Sequence, residues 1–181
     1  MNIAVYLGAS SGNNPSFEEA VCQLGTWIAE HGHTLVYGGS KSGLMGKLAQ
    51  SVYMSNGKII GVEPQCFMDQ NKAYEHLNEL IVTKDIPERK TKMIELSDAF
   101  IAFPGGTGTL EEISEVIAKM ALNDLEAPCI LYNLNGYYEP LKNLLNQMIV
   151  MEFSSRERQK NIYFANTLMD IQSIMNLSTE L

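Results

Sequence analysis

Basic residues are in short supply: 13 Lys and Arg stand against 21 Asp and Glu, a formal charge of −8 at pH 7 with a pI near 4.9. A surface of that sign does not neutralise a phosphate backbone or an acidic bilayer, so neither nucleic acid nor membrane is an expected partner. Cysteine is equally sparse. Cys22, Cys66 and Cys129 are odd in number, widely spaced and free of any Cys-x-x-Cys pair, and only three His could help to bind a metal. They read as reduced, buried thiols, and no metal or cofactor is expected. No run reaches the ~18 apolar residues of a membrane span. The opening Met1-Asn2-Ile3-Ala4-Val5-Tyr6-Leu7-Gly8 lacks the basic start and long apolar stretch of a signal peptide, so the expected location is cytoplasmic. With 45% hydrophobic and 19% charged residues, wholesale disorder, collagen and a disulfide scaffold are all disfavoured.

What is present is 181 residues, enough for one domain to bury roughly 70% of its unfolded surface. Short apolar runs recur at Ile3 to Leu7, Thr34 to Tyr37, Ile59 to Val62, Leu80 to Val82, Ala99 to Phe103 and Cys129 to Tyr132, with amphipathic stretches between them. This alternation predicts an α/β fold, a Rossmann-like doubly wound and mostly parallel sheet with helices on both faces. Ser16-x-x-Glu19 and Thr109-x-x-Glu112 have capping-box spacing, and Pro87 suits the first turn of a helix capped by Asp85. Nothing divides the chain, so residues 1–181 are read as one domain, ending in a helical tail from about residue 155.

In such a sheet, ligands bind beyond the carboxyl ends of the strands. Three turns there are rich in small residues: Gly8-Ala9-Ser10-Ser11-Gly12-Asn13-Asn14-Pro15, Gly38-Gly39-Ser40-Lys41-Ser42-Gly43 and Pro104-Gly105-Gly106-Thr107-Gly108-Thr109. Glycines admit close approach of a ligand, and the free N–H groups of a following helix start suit a phosphate. One phosphate-bearing ligand touching all three would involve Ser11, Gly39 and Ser40 as well as the third turn; for each turn alone, tight chain reversal is the alternative. The dinucleotide fingerprint fails, because Glu111 stands where Gly106-x-Gly108 needs its third Gly. Gly46-Lys47 resembles the end of a P-loop, but Lys41 and Leu48 occupy its first Gly and its Ser/Thr.

Two charges fall in unexpected places. Wound at 100° per residue, Leu110, Ile113, Val116, Ile117, Met120 and Ala121 form an apolar stripe, Glu111 and Glu115 point away, and Glu112 lies on the flank. Glu112 is therefore either a capping carboxylate or a group reaching a cleft, and Glu115 with Lys119 makes an i, i+4 surface pair. Arg89 shares a face with Met93 and Leu96 and points inward, where its permanent charge needs a phosphate or a carboxylate such as Glu112, unless it snorkels to the surface. Lys90 beside it is either solvated or a second ligand to the same anion.

Pro104-Gly105-Gly106-Thr107-Gly108-Thr109-Leu110-Glu111-Glu112 fits the PGGxGTxxE signature, with Glu88-Arg89-Lys90 upstream. With Gly38-Gly39-Ser40, Gly43-Leu44-Met45-Gly46 and Asn135-Gly136-Tyr137-Tyr138, the chain from Ile3 to Phe153 resembles the Lonely-Guy-type cytokinin riboside 5'-monophosphate phosphoribohydrolases. The resemblance implies a Rossmann-like homodimer that hydrolyses the N-glycosidic bond of an adenine-type nucleoside 5'-monophosphate to free base and ribose 5-phosphate. Three features depart from the pattern: Ala118-Lys119 replace a Thr-Trp pair, Ser40 replaces a Gly, and a Glu usual after the third strand is missing, with Asn71 nearest in register and Glu75 close by.

Many members carry the label lysine decarboxylase, yet no Schiff-base Lys or pyridinium partner can be assigned here. N-glycoside hydrolysis instead needs a carboxylate near the anomeric carbon and a fixed 5'-phosphate. On this reading Glu112 and Arg89 are catalytic, and Lys90 with Gly105, Gly106, Thr107, Gly108 and Thr109 holds phosphate and ribose. A non-catalytic nucleotide carrier or sensor is the alternative.

Overall fold

The structure, a computed structural model, describes residues 1–68 and 73–179, so Asn71 lies outside the described residues. Seven strands, β1 (Asn2–Tyr6), β2 (Thr34–Tyr37), β3 (Lys58–Pro64), β4 (Glu79–Thr83), β5 (Ala99–Ala102), β6 (Cys129–Tyr132) and β7 (Ile162–Ala165), alternate with α1 (Ser16–Glu30), α2 (Gly43–Met54), the four-residue α3 (Gln65–Met68), α4 (Ile86–Leu96), α5 (Thr107–Ala121), α6 (Glu139–Val150) and α7 (Leu168–Thr179). They form one sheet in the order β4-β3-β2-β1-β5-β6-β7, and every adjacent pair is parallel.

Successive strand residues face opposite sides, and both sides are covered, which is why the central strands are apolar throughout. Ile3, Val5 and Leu7 meet α1 and α2 through Leu24, Ile28 and Leu48, together with Ile171 and Met175 of α7. Ala4 and Tyr6 meet Met93 of α4 and Ile113, Val116 and Met120 of α5 on the other side. Each fully buried Ile, Val, Leu or Met side chain among these contributes about 1.5–3 kcal/mol. Among the described residues no helix is long and apolar enough to cross a membrane.

The helix starts split. Asp85 caps α4 as expected, its Oδ1 accepting from the Glu88 N–H at 2.9 Å with Pro87 in the first turn. Thr109 does not cap α5, which begins two residues earlier with Gly106 at its N-cap, so Thr109-x-x-Glu112 is not a capping box. Nor does Ser16 cap α1; the Asn14 side-chain oxygen accepts from the Ser16 N–H at 3.0 Å instead.

Three further expectations are corrected. The segment from about residue 155 is not a uniform helical tail: Ile162-Tyr163-Phe164-Ala165 forms β7, paired to β6 from Cys129↔Ile162 to Tyr132↔Ala165, before α7 begins. A four-residue apolar run bounded by Asn161 and Asn166 carries too little periodicity to identify its type. Of the three thiols only Cys129 is buried, Cys22 being half-buried and Cys66 exposed on the short α3. Leu110 stays 47% exposed, because the apolar stripe of α5 meets the sheet only from Ile113 onward.

Candidate active site

The strand order reverses direction between β1 and β5, and the carboxyl ends of these neighbours open a crevice. A cavity of about 480 Å³ lies there, within the usual range for a small-molecule site. The three glycine-rich turns do converge on it: Gly8, Ala9, Ser10 and Gly12 from the first, Gly38 from the second, and Pro104 through Thr109 from the third. Phe17, Leu44, Met45, Phe67 and Tyr137 are among its apolar walls, and Arg89 and Glu112 also line it. Ser11, Gly39 and Ser40 are not among its lining residues; their neighbours Ser10, Gly12 and Gly38 are.

Glycine is demanded unevenly in the third turn. A Cβ on Gly105 would collide with the Thr109 hydroxyl and come within 2.8 Å of the Gly8 backbone nitrogen, whereas at Gly106 and Gly108 it would meet nothing within 4 Å. Packing therefore accounts for Gly105 only. Gly106 and Gly108 keep the first turn of α5 bare where its free N–H groups and positive dipole end meet the cavity. The Tyr137 hydroxyl donates to the Gly105 carbonyl and the Tyr138 hydroxyl to the Phe103 carbonyl at 2.8 Å, bracing this turn from outside.

The two inward charges meet. Arg89 Nη1 donates to Glu112 Oε1 at 2.6 Å, and its Nε donates to the Val62 carbonyl at 2.9 Å, tying α4 to α5 and to the end of β3. The side chains are only 13% and 10% exposed, so Arg89 does not snorkel and Glu112 is no cap. Burial pushes the Glu112 carboxyl above its ordinary range, and the Arg89 guanidinium pulls it partway back. Burial and the neighbouring Glu112 charge raise the Tyr6 phenol as well, which stays neutral and carries no charge into the site.

Lys90 does not line the cavity. Its Nζ donates to Glu111 Oε1 at 2.6 Å and lies 3.0 Å from Glu115 Oε2, and these partners raise its pKa. Glu115 thus pairs across to α4 and not with Lys119. Met45 and Tyr137 stood only in the motifs of the resemblance, and no sequence motif marked Phe17 or the buried Glu63. A charged residue in an otherwise apolar strand run, Ile59 to Pro64, was the signal for the last.

The fold and the site together define an α/β protein whose helix start, bare glycine backbone and buried carboxylate suit a phosphate-bearing ligand. A sequence profile of the family described as "possible lysine decarboxylase" matches residues 45–175. A probable cytokinin riboside 5'-monophosphate phosphoribohydrolase of Oryza sativa subsp. japonica is 39% identical over 165 residues, which cover 91% of this chain and 66% of that protein. A cytokinin riboside 5'-monophosphate phosphoribohydrolase of Arabidopsis thaliana is 40% identical over 153 residues, covering 84% and 70%. The chain belongs to this phosphoribohydrolase family. Its backbone is also similar to that of the molybdenum cofactor carrier protein of Chlamydomonas reinhardtii, with a TM-score of 0.76, 19% identity and coverage of 99% and 98%. At that identity the likeness concerns the fold alone. Among the described residues no lysine lines the cavity.

Proposed function

We propose that this chain hydrolyses the N-glycosidic bond of adenine-type nucleoside 5'-monophosphates, cytokinin riboside monophosphate or AMP, releasing free base and ribose 5-phosphate. The observation that carries the reading is the buried Arg89–Glu112 pair beside an uncapped helix start in one cavity. The 5'-phosphate sits on the N–H groups from Gly106 to Thr109, which anchors the ribose with its anomeric carbon toward Glu112. As the glycosidic bond breaks, positive charge develops on the ring, and the Glu112 carboxylate stabilises it and orients the attacking water. Water adds its hydroxyl to the anomeric carbon and its proton leaves with the base. Arg89 keeps Glu112 ionised and aimed, and Lys90 acts on the same machinery by fixing α5 through Glu111 and Glu115.

The reading extends to a cytoplasmic homodimer. Val150, Met151 and Phe153, at the end of α6 and just beyond it, are 57–80% exposed and offer apolar material for a partner surface. Incubation of the purified protein with AMP and with a cytokinin riboside monophosphate, followed by detection of free base and ribose 5-phosphate, tests the activity; both nucleotides intact after prolonged incubation would refute it.

A further inference from the structure

Glu63, on β3, is 2% exposed, and its Oε2 has no hydrogen-bond partner among the described residues. It lies on the sheet face opposite its neighbour Val62, and its side chain covers Gly39: a Cβ on Gly39 would fall 2.6 Å from Glu63 Cγ and 3.1 Å from its Oε1. Gly38, the residue before, meets the other charge, since a Cβ there would fall 2.5 Å from Arg89 Nη2. The Gly38–Gly39 turn is thus a glycine layer with a buried carboxyl packed on one residue and a buried guanidinium on the next. Arg89 in turn holds the carbonyl that precedes Glu63, through Nε to Val62 O at 2.9 Å.

A buried carboxylate whose Oε2 has no partner among the described residues costs stability, and an apolar residue at this strand position would remove that cost. A Glu here needs another reason to be present. The groups that face it are the Tyr37 phenol of β2, itself buried without a partner among the described residues and with Tyr74 beyond it, and the Arg89 guanidinium of α4. Tyr37 remains a neutral phenol, because burial and the Glu63 charge both raise its pKa. Among the described residues, the charge that acts on Glu63 is that of Arg89.

We propose that Glu63 is a positioning residue for the reaction, acting across the Gly38–Gly39 turn to hold the Arg89 guanidinium in the place from which it aims Glu112. One buried cation then serves two buried carboxylates, one bonded to it inside the cavity and one behind the turn. Burial raises the Glu63 carboxyl and the Arg89 charge lowers it, so acidification neutralises the holding charge before the protein is broadly protonated.

The proposal rests on the hydrolase reading for its kinetic arm only. Glu63→Gln keeps the shape over Gly39 and removes the charge. The expected result is a loss of about tenfold in kcat on AMP near neutral pH, with Tm unchanged or raised and one proton fewer in the acid limb of kcat. The second readout needs no turnover: the ¹⁵N–¹H signal of Arg89 Nε–H, identified by its loss in Arg89→Lys, shifts in Glu63→Gln at neutral pH. If wild type releases no adenine, the hydrolase reading fails and this signal alone decides the positioning role. Should Glu63→Gln not fold, Glu63→Met is read in the same two ways. Wild-type kcat across the pH range, or a joint fall of Tm and kcat with an unmoved Arg89 signal, would overturn the proposal.

Discussion

Arg89 on α4 and Glu112 on α5 are 23 residues apart in the chain and 2.6 Å apart in space, and both line the cavity. Removing the charge while keeping the shape is the direct probe of that relationship. Glu112→Gln should lower kcat by about a hundredfold or more, since the stabilising charge is lost in the transition state, while the amide oxygen still accepts from Arg89. Steady-state kinetics beside thermal melts separate the outcomes: a lower Tm with near-normal turnover would make Glu112 structural only.

Arg89 cannot be replaced by Lys. One guanidinium donates from Nε to the Val62 carbonyl and from Nη1 to Glu112, two directions that an ammonium on a flexible stem does not reproduce together. Loss of a charge-assisted bond of this kind costs about 1.5–3 kcal/mol, or roughly one to two decades in kcat/KM. Arg89→Lys should lose at least about tenfold on a nucleoside monophosphate and Arg89→Ala more. Lys92, whose Nζ pairs with Glu95 on the outer side of α4, is the control. Equal, normal turnover in Arg89→Lys and Lys92→Ala would contradict the account.

The third turn predicts opposite behaviour for adjacent glycines. Gly106→Ala has open space for its methyl group and an ordinary φ of −91°, so it should melt like wild type yet raise KM by crowding the phosphate site. Gly105→Ala meets backbone and the Thr109 hydroxyl and should lose stability. An unchanged KM in Gly106→Ala would remove the phosphate from this helix start.

The pH dependence has a definite sign. Glu112 has a pKa raised above its ordinary 4.5, so the folded state holds the proton more tightly than the unfolded chain. Its contribution to stability is complete below 4.5 and is lost as pH rises through the raised value, whereas activity needs the ionised form and appears over the same interval. Melts of wild type and Glu112→Gln from acid to neutral pH should diverge in that direction; parallel curves would contradict it.

The sheet, its direction and the three converging turns were legible in the sequence because each rests on a local pattern: apolar runs of strand length, glycine clusters after them, and amphipathic stretches between. Asp85 and Pro87 marked the start of α4 for the same reason. What was hidden is what only the fold brings together. Glu112 read as a flank residue because a helical wheel knows nothing of α4, whose Arg89 draws it inward. Lys90 stood beside Arg89 in sequence, but one residue is about 100° of helix, which turns it to Glu111 and Glu115 and away from the cavity. Leu110 read as core because periodicity does not show where the sheet ends, and β7 was too short to carry a period.

The proposed dimer has a candidate partner surface in the exposed apolar side chains Val150 and Phe153. Light scattering should give twice the 20.1 kDa of the chain, and Phe153→Asp should shift it toward the monomer. A monomer mass at every concentration would refute the dimer.

The most direct measurement of the proposed activity is that of the products formed from AMP. Purified protein incubated with it should release adenine and ribose 5-phosphate in equal amounts, and Glu112→Gln should abolish both together. Binding of AMP without release of adenine, in wild type as in Glu112→Gln, would contradict the account and leave a nucleotide carrier or sensor in its place.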